Sequence, residues 1–182
     1  MMQELSLHGL KLINLERKID NRGWFSETYK ENWLKNFGID TNFIFEFWSY
    51  NNLQGTLRGL HSQNSKFVPA KLIMVLTGSI QDVVVDARIN SPTYGQHVSV
   101  TLDSKTPQLL FVPKGLYHGF VTLEPNTFVG YKVDEYHAPN NECGVDYNDK
   151  SLNINWKIKD NLIISDRDLN NPSWENCYKF DL

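Results

Sequence analysis

Short apolar runs, broken by Gly, Pro, Asn or Asp, recur through the middle of the chain. Segments 42–50, 56–61, 71–76, 80–86, 97–102, 108–112, 119–123 and 127–134 are rich in β-branched and aromatic residues, the signature of strands. Gly78-Ser79 and Ser91-Pro92-Thr93-Tyr94-Gly95 are the clearest turns between them. Upstream, residues 5–19 alternate weakly through Leu5, Leu7, Leu10, Leu12, Ile13 and Leu15, which predicts one or two strands. Asp20-Asn21-Arg22-Gly23 is a turn signal, and 24–29 reads as a further short strand. Trp33, Leu34 and Phe37 fall at helical spacing ahead of Gly38, predicting a short amphipathic helix over 30–37 with a glycine cap. The more polar tail from Pro139 to Leu182 is expected to wrap the rest as loops and one short helix. About eight short strands at this spacing predict an all-β jelly roll with short peripheral helices. The expectation is one domain over 1–182, its N-terminal strands and C-terminal tail packing on the barrel or on a partner subunit.

Composition narrows the field. A chain of 182 residues has room for one sizeable core, and a formal charge of −3 offers no general attraction to nucleic acid. An anionic ligand would have to be met by local positive charge. No apolar run approaches the roughly 20 residues needed to cross a bilayer, and the first residues lack the form of a signal peptide, so a cytoplasmic protein is expected. Cys143 and Cys177 are too few for a disulfide framework and are expected to be free thiols.

The chemistry gathers around residues 55–78. Gly55 is followed six residues later by His61 and, further on, by Gly78, which is the beat of the first cupin half-motif. Pro113-Lys114-Gly115-Leu116-Tyr117-His118 supplies the second half. In metal-binding cupins two His and a Glu of the first half hold one ion, as borderline and hard divalent ions prefer. Here the second His position holds Gln63 and the Glu position holds Lys71. An ammonium aimed into that pocket repels a cation, so the expectation is a site for an anion or a developing oxyanion, with no metal and no cofactor.

Several further motifs are in register with a narrower group. Leu57-Arg58-Gly59-Leu60-His61, Asp82 to Arg88, Ser91 to Gly95, Pro113 to Phe120, Tyr131-Lys132, Trp156, Ser165-Asp166-Arg167-Asp168 and the opening Asp20 to Tyr29 resemble the dTDP-4-dehydrorhamnose 3,5-epimerases. The resemblance runs from about residue 8 to 170. It implies epimerisation at C3 and C5 of a nucleotide-linked 4-keto-6-deoxy sugar, in the dTDP-rhamnose route to polysaccharides. Each of those carbons is acidic because the ketone takes up the charge, so the chemistry needs a base at the C–H, a cation or donor at O4 and an acid on the opposite face.

The resemblance assigns the parts. His61 is the candidate base, with Asp168, rather than Asp166, behind it to fix its tautomer. Lys71 would sit at the enolate oxygen and Tyr131 would return the proton. Arg22 and Arg58 are matched to the diphosphate, while Phe25, Glu27, Gln63, His118 and Tyr136 are expected to contact nucleotide or sugar. Arg88 and Lys132 are read as structural or rim charges. A homodimer is implied, with the N-terminal segment exchanged into the partner's site.

Departures from the family lie in recognition. Where a Gln-x-Asn-x-Ser stretch is usual, this chain has Glu46-Phe47-Trp48-Ser49-Tyr50; Ser62 replaces an aromatic, and His137 stands where a second tyrosine is common. Four readings therefore compete: a 3,5-epimerase, a single-site epimerase or keto-isomerase on another nucleotide sugar, a non-catalytic sugar-nucleotide-binding cupin, and a metal-dependent oxygenase. The last is disfavoured by Lys71 and Gln63.

Overall fold

A computed structural model describes the backbone of residues 1–182 and every side chain except that of Glu31. Near the N-terminus lie β1 (Met2–Glu4), β2 (Lys11–Asn14), the hairpin β3 (Lys18–Asp20) and β4 (Gly23–Phe25), and helix α1 (Glu31–Lys35). The barrel strands follow: β5 (Phe45–Asn51), β6 (Leu57–Gln63), β7 (Lys71–Thr77), β8 (Ser79–Asp86), β9 (His97–Asp103), β10 (Gln108–Val112), β11 (Leu116–Thr122) and β12 (Thr127–Val133). The tail adds β13 (Glu142–Gly144) and helix α2 (Asp166–Leu169). A six-stranded sheet in the order β1-β2-β10-β7-β12-β5 faces a five-stranded sheet in the order β13-β6-β11-β8-β9, every pairing being antiparallel. This is the all-β jelly roll that the spacing of the apolar runs predicts, of the cupin type that the two half-motifs predict.

Period-two alternation sorts the side chains into three cores. Ile73, Val75, Leu110 and Val129 of one sheet meet Ile80, Val84, Leu102 and Phe120 of the other between the sheets. Val83, Val85, Tyr117 and Val121 point the opposite way and are covered by Trp156, Cys177 and Phe180 of the tail. β8 is buried on both faces, so its polar residues Ser79, Gln81, Asp82 and Asp86 are enclosed along with Ile80 and the three valines. On the outer side of the six-stranded sheet, Leu34 of α1 and Ile39 cover Leu72, Leu109 and Phe111.

Two short elements differ from expectation. Residues 24–29 extend only as far as Phe25, and the hairpin β3–β4 is exposed at all six of its residues. The tail was expected to be loops and a helix, but Glu142–Gly144 pairs with the edge of β6, Gly144 opposite His61. Nothing in three such residues announces a strand; the free edge of β6 recruits them. Gly59 and Gly119 let β6 and β11 cross closely, since a Cβ built on Gly59 would lie 2.6 Å from the Gly119 Cα. That close crossing sits directly beside the functional residues.

Candidate active site

The side chains that carry chemistry converge on the inner surface near β6, β7, β11 and β12. His61, on β6, places Nε2 2.6 Å from Asp168 Oδ1. Asp168 lies in α2, where its backbone N–H donates to the Ser165 Oγ cap. Its Oδ2 accepts the Gly59 N–H at 3.0 Å. Burial alone would raise this carboxyl, but the His61 and Gly59 hydrogen bonds, with the charges of His61 and Arg167, outweigh it and hold the pKa at about 2. A carboxylate can only accept, so the proton of neutral His61 resides on Nε2 and Nδ1 carries the free lone pair. Asp166 makes no contact of this kind; its carbonyl oxygen accepts from Asn170.

Lys71 opens β7 and its Nζ donates to the His61 carbonyl oxygen at 3.2 Å. Burial draws its pKa down to about 8, against the opposing pull of the Asp82 carboxylate. Asp82 is fully buried on the inner side of β8, with Oδ2 2.8 Å from His118 Nε2 and Oδ1 without a hydrogen-bond partner. Burial raises the Asp82 carboxyl and lowers the His118 imidazole, while each favours the other's charged form. Tyr131 completes the group from β12. Its ring lies flat against Phe47 (centroids 4.7 Å apart, 13° between planes) and edge-on to His118 (6.2 Å, 73°). Burial, reinforced by the Asp82 charge, pushes its phenol well above the ordinary value.

The predicted binding residues divide into three groups. Arg58 donates from Nε to Asn51 Oδ1 at 2.7 Å at the C-terminal end of β5, and Tyr136, 64% exposed, has its ring 6.1 Å from Phe45 at the N-terminal end of the same strand. Gln63 is engaged within the chain. Its Nε2 donates to the Phe67 and Tyr136 carbonyls and its Oε1 accepts the Ala138 N–H, so the amide staples two loops to β6 and has little left for a ligand. Arg22, Phe25 and Glu27 are not brought to the cluster within this chain: Arg22 pairs with Asp20, Glu27 with Lys30, and Phe25 is 60% exposed on the hairpin. Arg88 has the structural place expected of it, clamped on Asp86.

Sequence reasoning gave no role to Asp82, Glu142 or Arg167. Asp82 could have been found as the charged residue on the face of β8 that it shares with Ile80 and Val84. Glu142 bridges His137 Nε2, at 2.9 Å, and Arg167, whose Nη2 lies 3.3 Å from His61 Nε2. Glu142 and Arg167 come from the polar tail; the pairing of β13 with β6 brings Glu142 near His61, and the Asp168 contacts of α2 bring Arg167 there. The departing residues Glu46 and Trp48 share the outer face of β5. There Trp48 Nε1 donates to Glu46 Oε1 at 2.9 Å, and Glu46 pairs with Lys132, the rim charge anticipated from sequence.

A jelly roll whose inner walls combine an imidazole–carboxylate dyad, a half-buried ammonium and a buried phenol is a cupin-type isomerase. Residues 4–176 match the sequence family described as dTDP-4-dehydrorhamnose 3,5-epimerase. The chain belongs to that family. It is 38% identical over 174 residues to the dTDP-4-dehydrorhamnose 3,5-epimerase of Methanothermobacter thermautotrophicus, across 94% of this chain and 93% of the relative. Among solved structures, the Bacillus anthracis enzyme of the same name, with TDP and PPi bound, superposes with a TM-score of 0.92 at 40% identity, covering 95% of this chain and 99% of that one. The Legionella pneumophila dTDP-6-deoxy-D-glucose-3,5-epimerase in complex with dTDP-4-keto-L-rhamnose superposes with a TM-score of 0.93 at 30% identity over the full length of both chains.

Proposed function

We propose that this enzyme epimerises dTDP-4-dehydro-6-deoxyglucose at C3 and C5 to dTDP-4-dehydro-L-rhamnose. The observation that carries the reading is the set of four side chains on the facing inner walls: His61 of β6 on Asp168, and, from neighbouring strands of the opposite sheet, Lys71 beside the His61 carbonyl and Tyr131 on β12. His61 Nδ1 takes the proton from the sugar carbon, and Asp168 steadies the imidazolium that results. The charge moves to O4, where the Lys71 ammonium meets it in a site shielded from water. Tyr131 returns a proton to the opposite face, which inverts the carbon. Repeating the cycle on the other side of the ketone completes the conversion.

The test is proton NMR of the dTDP-4-keto-6-deoxy sugar incubated with the enzyme in D2O. Loss of both the C3 and C5 signals is expected. Loss of one would make this a single-site epimerase, and retention of both would overturn the reading.

The binding groups, in this account, are Arg58, His118 and Tyr136 of one chain together with Arg22, Phe25 and Glu27 of a partner. The exposed hairpin, with Ile19 75%, Trp24 51% and Phe25 60% exposed, is a surface that a second subunit would cover. We therefore infer a homodimer that exchanges this segment, each chain otherwise acting as one domain in the cytoplasm and feeding polysaccharide synthesis. Co-expression of His61→Ala with Arg22→Ala tests the exchange. Random pairing of two such subunits would leave about a quarter of the sites intact, so activity should return to about that fraction of wild type. Activity no higher than that of the two single variants would place Arg22 in its own chain's site.

A further inference from the structure

Tyr131 has a demanding task if one phenol must deliver protons to two carbons on either side of a ketone. A misplacement of about 1 Å can cost about 10²-fold in such a step, so something must hold the ring. Its hydroxyl is not anchored: Ser49, on the same face of β5, comes close enough to influence it, yet the Ser49 Oγ makes no hydrogen bond of ordinary geometry. The ring is held by packing instead. Phe47 pairs directly with Tyr131 across β5 and β12 and covers one face of it, with only 13° between the planes. Phe47 in turn touches Phe45, whose centroid is 5.6 Å away, and Phe45 touches the exposed Tyr136. A ladder of rings thus runs from solvent to the buried phenol, with His118 edge-on at its inner end.

The strand carrying this ladder is itself secured. β5 is the outermost strand of its sheet, and its outer face is fastened by the Glu46–Lys132 ion pair, the Trp48 donation to Glu46 and the Trp48 ring against Phe128. Glu46, Phe47 and Trp48 are the stretch in which the chain departs from its family's usual amides. The outer pair holds the strand while the residue between them points inward onto the acid.

We propose that Phe47 is a positioning residue that fixes the plane of Tyr131 and so sets how reprotonation is divided between C3 and C5. This rests on the epimerase reading above. Loss of the ring frees the phenol to rotate among its allowed side-chain positions, and the two carbons, which lie in different directions from it, are served unequally.

The experiment follows deuterium exchange and inversion separately at each carbon, by NMR in D2O, for wild type, Phe47→Ala, Phe47→Leu and Phe47→Tyr. Exchange reports proton removal by His61, and inversion per exchange reports delivery by Tyr131. The expected result for Phe47→Ala is exchange within about threefold of wild type, with the C5-to-C3 ratio of inversion per exchange shifted about tenfold. Phe47→Leu, which keeps bulk without a flat ring and serves if the alanine variant does not fold, should behave the same way. Phe47→Tyr should restore the wild-type ratio. A ratio unchanged within about twofold in folded alanine and leucine variants overturns the proposal, because a merely structural residue would lower every rate together. Absence of exchange in wild type would instead overturn the epimerase reading and this proposal with it.

Discussion

His61→Ala is expected to lower kcat/KM by about 10³- to 10⁴-fold while KM changes little. General-base catalysis contributes about 10² to 10⁴ when a base is held in line with the proton it removes, and this imidazole is held unusually well. Asp168 accepts from Nε2 at 2.6 Å, is itself fixed by the Gly59 N–H, and stays ionised with a pKa of about 2. The free Nδ1 is therefore left unprotonated, with its lone pair available to take a proton. Asp168→Asn should retain the geometry but lose the charge that stabilises imidazolium, and should cost about 10²-fold or more. Deuterium exchange at C3 and C5 measures the step directly. Near wild-type exchange in His61→Ala would remove the imidazole from the role of base and leave the dyad as scaffolding for the β6–α2 contact.

How much of this was legible in the sequence depends on how local each feature is. The barrel strands were readable because burial writes period-two patterns and turns need Gly, Pro or Asn, both of which are local. β7, β9 and β10 begin at the expected residues, and β7 and β9 run one residue further. His61, Lys71 and His118 stand at fixed places in the cupin half-motifs, whereas Tyr131 was singled out only by resemblance to a family. The pairing of His61 with Asp168 spans 107 positions and came only from resemblance to a family; no spacing rule carries it. The hydrogen bonds of Gln63 were hidden for a similar reason. Its place in the motif is an inward one, and a one-dimensional pattern cannot show that the carbonyls of Phe67 and Tyr136 and the N–H of Ala138 already claim its amide. β13 was invisible for want of any intrinsic preference in Glu142–Gly144.

Lys71→Met should give a second large effect, with two signs that oppose each other. Removing the positive charge proposed for O4 is expected to lower kcat by about 10²- to 10³-fold, the usual cost of losing one preorganised oxyanion partner. In wild type, burial sets the ammonium pKa at about 8, so kcat should fall as pH rises through about 8, and the methionine variant should lack that alkaline limb. Stability should move the other way. The folded pKa of Lys71 lies below the unfolded value of about 10.4, so between about pH 8 and 10.4 the unfolded chain binds more protons and stability rises with pH. Below pH 8 the fold bears the full cost of holding this charge out of water. Methionine, similar in length and uncharged, removes that cost, and Tm at pH 7 is expected to rise in a thermal melt even as turnover collapses. A protein strained at a working residue behaves in this way. A variant that instead lost Tm and kept its rate would show that Lys71 serves to tie the His61 carbonyl to β7, and the charge at O4 would have to come from another residue.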